Sequence, residues 1–497
     1  MSTLSKKAWH RQCLATRCLL LTASLGALVG AGCTSTARFA RPAAPPQTTY
    51  LREQAATGIV SAQTTGEDRQ HVSLGKAVPD AWWTLLDSDQ INRLVAQALE
   101  SNQSIASASA HLSAARERIR AASGARYPQV DAATLAQRTR FGSTVLGPLA
   151  KDFPVFSAYG AGAEVSYDVD IFGGTRWRIE HAAAMAQYET EQLHAVQLSV
   201  SGNVVIQALQ IASLRAQIHV AEGVVADDDR MLTLIRGAHD AGAVSGVDVL
   251  SAQSQADHDR TVLPALRQQL SLSQDVLASL SAVAPSDWTP LEIDLDTLRL
   301  PQDVPVALPS ELVRRRPDIG TAESQLRAAS ADVGIATADL YPHITLSAAI
   351  GGEGLIAGGA FEPAWNLLGG ITAPLFHGGT LTARRRAAQD DYNAAFAAYR
   401  QTVLEAFSQV SSTLHALGND ADELSAQDRA LDSANTSLSD TRQAYAAGNA
   451  GYVQVLDAQR LHEQAQLGQV QARSQRYIDT VKLLLASGGG LNGAQAQ

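Results

Sequence analysis

The chain has 497 residues and a formal net charge of −10, from 39 lysines and arginines against 49 aspartates and glutamates. This acidic balance argues against nucleic acid as a partner. Of the three cysteines, Cys13 and Cys18 lie in a segment that we expect to be removed, and the remaining Cys33 cannot form a disulfide framework or a cysteine metal site by itself.

A signal peptide is predicted at residues 1–32. Its four basic residues precede the apolar run CLLLTASLGALV, whose 12 residues are too few to span a bilayer. Because the segment holds four positive charges and no acid, its removal changes the formal charge from −10 to −14.

Small residues stand directly before Cys33, and this arrangement resembles the lipobox of bacterial lipoproteins. Gly30 occupies the place where the lipobox usually has leucine. The resemblance implies cleavage before Cys33, lipidation of Cys33 and, because Thr34 follows it, sorting to the outer membrane. An ordinary secretory signal that is cut elsewhere and leaves Cys33 unmodified is the alternative.

Four further segments are delimited by composition and by repetition. Residues 33–80 are rich in Ala, Pro, Thr, Gln and Gly without an apolar period, which predicts an extended, lipidated tether. A first repeat is predicted at 81–283, a connection at 284–309 and a second repeat at 310–487. Residues 488–497 are predicted to be a flexible tail.

The internal repeat has several anchors in the same order. A heptad-spaced apolar triplet leads to Tyr127-Pro128 in the first half and, 214 residues later, to Tyr341-Pro342 in the second. The sequence AHDAGAVSGVDVLSAQ at 238–253 matches AYAAGNAGYVQVLDAQ at 444–459 with an offset of 206. Each half therefore has the order helix, Tyr-Pro, apolar segment, Gly-Gly, long helix, glycine turn, helix.

Long helices are predicted at about 175–283 and 380–487. From Thr380 to Ala447 the apolar residues recur at spacings of three and four, and the stretch lacks proline. At about 1.5 Å per residue it would be roughly 100 Å long, so its apolar stripe can be buried only by lateral packing against other helices. A simple coiled-coil rod is one way to meet that need.

Two strands are predicted within about 129–172 and two within about 343–376, where the apolar period changes from helical to two. The strand that starts at Tyr159 is about as long as the roughly 9 to 11 residues with which a strand crosses a membrane. A strand of a soluble sandwich is the alternative, but acids on one face and apolar residues on the other suit a water-filled barrel in lipid. The clearest alternation pairs Tyr159, Ala161, Ala163, Val165, Tyr167, Val169 and Ile171 with Gly160, Gly162, Glu164, Ser166, Asp168 and Asp170.

Two strands from each half make four, and four strands cannot close a barrel. Two chains would supply eight strands and three chains twelve, and the wider barrel leaves room for an aqueous lumen. The predicted fold class is therefore a membrane β-barrel combined with a long α-helical barrel, built by a trimer in which each chain gives four strands.

No catalytic or cofactor-binding motif is found. His462-Glu463 is followed by Gln466 where a zinc protease motif requires histidine, and no lysine-serine or lysine-threonine pair follows the glycine-rich stretch GGEGLIAGG. We therefore expect neither an enzyme nor a cofactor, and energy for transport would have to come from a partner.

Several motifs together resemble the TolC-like outer-membrane efflux family, specifically its NodT-type lipoprotein branch. They are LPSELVRRRPDI at 308–319, the paired ARYPQVDAA and LYPHITLSA, YDVDIFGG, and the glycine turn before VQVLDAQ. The resemblance covers roughly residues 81–487.

This resemblance implies a homotrimeric, passive exit duct of a tripartite efflux pump, embedded in outer-membrane lipid and extending into the periplasm. Its implied cargo is small molecules such as drugs and toxic organic compounds. Its implied partners are a periplasmic adaptor protein and an inner-membrane pump of the resistance-nodulation-division type. The exit duct of a type I secretion system, or an envelope coiled-coil protein without transport, are alternatives.

The glycine turns at Gly242 and Gly448 follow helices long enough to reach the far end of the tunnel, which predicts that both lie at its periplasmic tip. An unbound duct must close there to prevent leakage.

The resemblance also implies gate residues near these turns. Asp457 matches one of the family's ring-forming aspartates and Tyr445 matches its tyrosine, whereas Gln454 replaces the second aspartate and Ala450 replaces the arginine. Asp248 of the first repeat aligns with Gln454 and would restore acidic character. Symmetry copies of Asp457 brought close together would repel one another or attract cations. The alternative is that Asp457 lies on a solvated helix face.

Overall fold

A computed structural model describes residues 39–43, 46–51, 70–140, 155–354 and 362–489. The described residues fall into two compact units. One contains Ala122–Glu180 and Ser330–Gln389, and the other contains 70–121, His181–Ala329 and 390–489.

The first unit is built around one antiparallel sheet of four strands in the order β2-β3-β5-β6. Each strand has 11 to 14 residues. An envelope rod made of helices alone is thus excluded. The strands are β2 (Gln129–Thr139), β3 (Phe156–Val169), β5 (His343–Gly354) and β6 (Glu362–Thr372).

The DIFGG motif makes the exit from β3 into the first long helix. Gly173 adopts a left-handed conformation with φ of +83°, which favours glycine. The Asp170 carboxylate then accepts hydrogen bonds from the backbone N–H groups of Thr175 at 3.1 Å and Arg176 at 2.9 Å. These are donors that the first turn of a helix leaves unpaired. The motif therefore ends a strand and caps a helix.

The Tyr-Pro motif of the second repeat contacts this same exit. The rings of Phe172 and Tyr341 stack with centroids 4.8 Å apart and an interplanar angle of 9°. Two motifs that lie far apart in sequence are therefore neighbours at one end of the sheet.

Two helices of 67 residues dominate the helical elements, and each is followed by a glycine turn and a returning helix. Short parallel strands and shorter helices flank them. The remaining elements are β1 (His71–Leu74), α1 (Asp89–Ser101), α2 (Gln103–Gly124), α3 (Gly174–Asp240), α4 (Gly246–Arg260), α5 (Val262–Leu280), β4 (Asp303–Val306), α6 (Pro309–Arg315), α7 (Pro317–Ala338), α8 (Thr380–Ala446) and α9 (Tyr452–Ala486).

The two repeats differ in their returning helices. In the second repeat α9 is continuous, whereas in the first the helix stops at Arg260 and restarts at Val262. Pro264 explains the break, because proline lacks the N–H that would bond the carbonyl of Arg260 and its ring clashes with that carbonyl. The equivalent residue of the second repeat is Val470.

The core of the helical unit consists of small and branched apolar side chains. One helix, α3, is long and apolar enough to cross a membrane by length and composition, but half of its most apolar window is buried inside the protein. We therefore assign it to lateral helix packing. Its buried residues include Val204, Val205, Ala208, Leu209, Ile211 and Ala212.

The segment predicted as a tether contains ordered contacts. β1 pairs in parallel with β4 of the inter-repeat connection, and the Lys76 ammonium lies 3.1 Å from the Asp303 carboxylate. Further upstream, the Tyr50 hydroxyl donates to the carbonyl of Ala307 at 2.8 Å, and its ring meets Phe407 edge to face. The chain before residue 81 is thus held to the helical unit at these points by backbone strand pairing and by side-chain contacts.

Candidate functional site

The four-stranded sheet has one apolar and one polar face. Directly opposed residues of neighbouring strands share a face, and the register aligns Ala163 with Ile350 and Ile350 with Trp365. The same face is completed by Val130, Val165, Tyr167, Val169, Ile344, Leu346, Ala348, Leu367 and Ile371.

This apolar face is exposed. The exposed fraction is 79% for Trp365, 76% for Leu367 and 70% for Ile350. Large exposed apolar patches of this kind mark contact with a membrane or another protein.

The opposite face carries the acidic and polar side chains, with Leu135, Phe156 and Leu368 as large apolar exceptions. Such a face requires water, so the sheet can separate an apolar medium from an aqueous one. The acids on this face are Asp131, Glu164, Asp168, Glu353 and Glu362.

The outer edges of the sheet are formed by β2 and β6, and each pairs on one side only within the described residues. Unpaired edge groups are costly in lipid, where no water can bond to them. The sheet is therefore incomplete unless further strands join both edges.

The glycine turns lie where the sequence predicts them, between α3 and α4 and between α8 and α9. Gly242 and Gly448 have φ values of +73° and +76°, and no neighbouring atom lies within 4 Å of an added Cβ. A side chain would therefore have space at both turns, and glycine is favoured there because the backbone is left-handed.

Tyr445 packs at the edge of a small apolar core that joins the two turns. Its ring centroid is 6.1 Å from that of Tyr452, which is buried. The core holds α3, α4 and α9 together next to the turns. Its buried members are Leu232, Ile235, Ala252, Tyr452 and Val455.

Asp248 and Gln454 act as helix caps. The Asp248 carboxylate accepts from the backbone N–H of Ser245 at 3.0 Å and from the Ser245 hydroxyl at 2.8 Å. The Gln454 Oε1 accepts from the backbone N–H of Gly451 at 3.0 Å. Each side chain therefore supports the first turn of its own helix.

Asp457, by contrast, projects into solvent. Its side chain is 66% exposed, and its nearest cation is Arg460 of the next turn, at 3.9 Å. Asp457 therefore has the freedom that a ring-forming carboxylate needs, which Asp248 lacks. Cys33 lies outside the described residues.

A group of acidic residues that the sequence does not single out lies on the same helices, roughly 20 Å from these turns at about 1.5 Å per residue. The carboxylates of Asp228, Asp259 and Glu463 approach one another within 4.8 Å, and Asp228 and Glu463 are buried. Burial, followed by the neighbouring Asp259 carboxylate, raises the pKa of Asp228 to about 8. The same causes raise the pKa of Glu463 to about 7.

A readable signal for this group exists in the sequence. Asp228 precedes Leu232 and Ile235 by four and seven positions, so it lies on the stripe that α3 buries. Asp259 follows the buried Ala252 and Ala256 by seven and three positions, so it lies on the stripe that α4 buries. A carboxylate on a buried stripe is the kind of exception that marks a special environment.

The RRRPDI motif has a structural role. Arg316 is buried, and its guanidinium donates to both carboxylate oxygens of Asp318 at 2.7 and 3.0 Å. It also donates to Gln409 Oε1 of α8 and to the carbonyl of Ala486 at the end of α9, both at 2.7 Å. One arginine therefore ties the start of α7 to two other helices.

The match to a known protein family covers both repeats. A family model described as outer membrane efflux protein matches residues 94–283 and 308–489. Pyoverdine export outer membrane protein OpmQ of Pseudomonas aeruginosa is 31% identical over 415 residues, which are 82% of this chain and 87% of OpmQ. A probable outer membrane lipoprotein, SilC of Salmonella typhimurium, is 28% identical over 471 residues, covering 93% of this chain and 96% of SilC.

Among solved structures, the outer-membrane channel OprN superposes with a TM-score of 0.81. It is 26% identical, and the match covers 92% of this chain and all of that chain. The likeness extends over both the four strands and the long helices.

Proposed function

The chain belongs to the outer membrane efflux protein family, and we propose that it is the passive exit duct of a tripartite efflux pump. The predicted family and the predicted efflux function at the outer membrane are confirmed by the family match and the curated relatives. Beyond this family function, we propose how the chain assembles, what it carries, which partners it binds and how it is anchored.

The observation that carries the proposal is the two-faced sheet with two unpaired edges. In lipid, its apolar face can be exposed but its edges cannot. The β6 edge of one chain can pair with the β2 edge of the next. Three copies of the four-stranded sheet would then close into one barrel of twelve strands. The acidic face then lines an aqueous lumen. We therefore propose a homotrimer with one shared barrel.

Small organic molecules are the proposed cargo. OpmQ is named for the export of pyoverdine, and the relative TtgI of Pseudomonas putida is named for the efflux of toluene. This favours efflux of small molecules over type I protein secretion. The proposed energy source is an inner-membrane pump of the resistance-nodulation-division type, joined through a periplasmic adaptor that binds around the turns at Gly242 and Gly448.

Lipidation of Cys33 is the proposed anchor, and the small residues before Cys33 support it. Cys33→Ser is expected to abolish labelling by a palmitate analogue while the barrel still inserts. A Cys18→Ser variant, altered inside the signal peptide, is the matched control and should keep its label. Label that persists in Cys33→Ser would rule out this anchor.

Purified protein in planar bilayers tests the duct itself. We expect discrete conductance steps from a species whose mass by mass photometry in detergent equals three chains. A stable monomer with full strand content would contradict the proposal.

A further inference from the structure

We propose that Asp228, Asp259, Glu463 and Gln459 form a binding site for one Ca²⁺ ion in each chain, which links α3, α4 and α9. This site goes beyond the proposed duct function, because it lies within one chain and requires neither conduction nor a partner protein.

The first support is an excess of buried acceptors. Asp228 is 5%, Gln459 3% and Glu463 9% exposed. Within the described part of the chain, Asp228 Oδ2, Glu463 Oε1 and Gln459 Oε1 are buried and accept no hydrogen bond. Buried oxygens of this kind are rare in proteins unless water, an ion or a proton satisfies them. The amide oxygen of Gln459 is not a carboxylate oxygen, so it is a second, independent kind of unpartnered acceptor beside the acids.

The second support is the nature of the donors that do reach the group. Gln459 Nε2 donates to Asp228 Oδ1 at 2.5 Å, and Gln255 Nε2 donates to Asp259 Oδ2 at 2.7 Å. Both donors are neutral amides, so they bring no positive charge to the ionised carboxylates. Buried charges are normally paired or bound to a metal.

The geometry selects the kind of ion. The ligand oxygens of the three acids lie within 4.8 Å of one another. Oxygens bound to one Ca²⁺ at about 2.3 to 2.6 Å can be up to about 5 Å apart, whereas Mg²⁺ at about 2.0 to 2.1 Å requires a tighter set. Ligands composed of carboxylate and amide oxygen, without sulfur or imidazole, suit a hard cation.

The site also has an entry path. A cleft of about 240 Å³ is lined by Gln459 and Glu463 together with Asp227 and Arg442. An ion can therefore approach Gln459 and Glu463 from solvent without unfolding of the helices.

Ion binding to the full-length protein in detergent tests the site. After treatment with EDTA, isothermal titration with CaCl2 at pH 7.5 should show one Ca²⁺ per chain, with weaker binding of MgCl2. Asp259→Asn and Glu463→Gln keep side-chain shape but remove a charged ligand, and each should weaken Ca²⁺ binding by about tenfold or more, because ligand charge sets Ca²⁺ affinity.

Asp257→Asn is the matched control, because Asp257 lies on the same helix as Asp259 but is exposed and already bonded to Gln253 and Arg260. Its binding should equal that of the unaltered chain. Ca²⁺ should also raise the apparent melting temperature of the unaltered chain and of Asp257→Asn only. If either Asp259→Asn or Glu463→Gln fails to assemble, Ca²⁺ binding by the other variant tests the site.

Two results would overturn the site. The first is no Ca²⁺ binding by the unaltered chain, which would leave a shared proton as the partner of these carboxylates. The second is Ca²⁺ binding that Asp259→Asn and Glu463→Gln leave unchanged, which would place the ion elsewhere. Neither result bears on conductance, so failure of the ion site and failure of the duct are distinguishable.

Discussion

Asp248 and Gln454 occupy the same position in the two repeats, the third residue of the helix that leaves each glycine turn, and both accept a hydrogen bond from the backbone N–H of the residue directly before that helix. An aspartate and a glutamine can exchange here because the position requires an acceptor and not a charge. The loss of an aspartate at Gln454 is thus compatible with an intact tip. Asp457, which makes no such contact, is the residue whose charge remains available.

The first prediction separates these two roles. Asp457→Asn should lower the cation preference of single channels, because three copies of the exposed carboxylate would face one constriction. Asp248→Ala should instead lower the free energy of unfolding by about 1 kcal/mol, the usual cost of losing a helix cap. Reversal potentials in a salt gradient measure the first effect and thermal melts the second. Unchanged selectivity in Asp457→Asn would remove it from the gate.

The second prediction concerns Asp420 on α8, which is buried against Asp479 on α9. Burial, and then the Asp479 carboxylate, raises the pKa of Asp420 from 3.8 to about 7. The folded protein therefore binds this proton more tightly than the unfolded chain. The stabilisation is complete below about pH 4 and is lost as the pH rises through about 7.

Asp420→Asn should remove this pH dependence. At pH 8 the variant should be more stable than the unaltered chain by about 1 to 2 kcal/mol, since one pKa unit corresponds to about 1.4 kcal/mol and solvent screens part of the shift. At pH 4 the gain should disappear. Melting curves followed by circular dichroism at both pH values measure this, with exposed Asp432→Asn as control. An equal gain at both pH values would contradict the assignment.

The sequence predicted the repeat, the strands and the turns because each leaves a periodic or a glycine signal. It did not predict the order of β3 and β5 as neighbours, which joins the two repeats in one sheet, since pairing between distant strands leaves no local pattern. The sequence also predicted only an extended tether before residue 81. It gave no sign of β1, because β1 is four residues long and becomes a strand only by pairing with β4.

The site residues show the same limit. Alignment of the repeats brought Asp248 and Gln454 together but could not show that their side chains are used as caps. The sequence did not predict a site at Asp228 and Glu463, because charged residues on helices are ordinarily exposed. Only the packing of α3, α4 and α9 shows that they face one another.

The third prediction tests the RRRPDI motif. Arg316→Lys should destabilise the protein by about 2 to 3 kcal/mol, because lysine cannot reproduce the forked bonds to Asp318 and hydrogen bonds to charged groups are each worth about 1.5 to 3 kcal/mol. Arg314→Lys, on an exposed position of the same motif, should change stability by less than about 0.5 kcal/mol. Thermal melts of both variants measure the difference. Equal effects would mean that the motif is not held by this guanidinium.

The last prediction uses two consecutive residues of β6 that point to opposite faces of the sheet. Leu367 lies opposite Ala348 on the apolar face, and Asn366 lies opposite Ala349 on the acidic face. Leu367→Arg should cost about 2 to 4 kcal/mol if the face contacts the middle of the bilayer, and should reduce the amount of trimer in outer-membrane fractions. Asn366→Arg adds the same side chain one residue away and should assemble normally, but lower the cation preference of the channel because it places positive charge in the lumen. If both variants assemble equally well, the apolar face does not contact lipid.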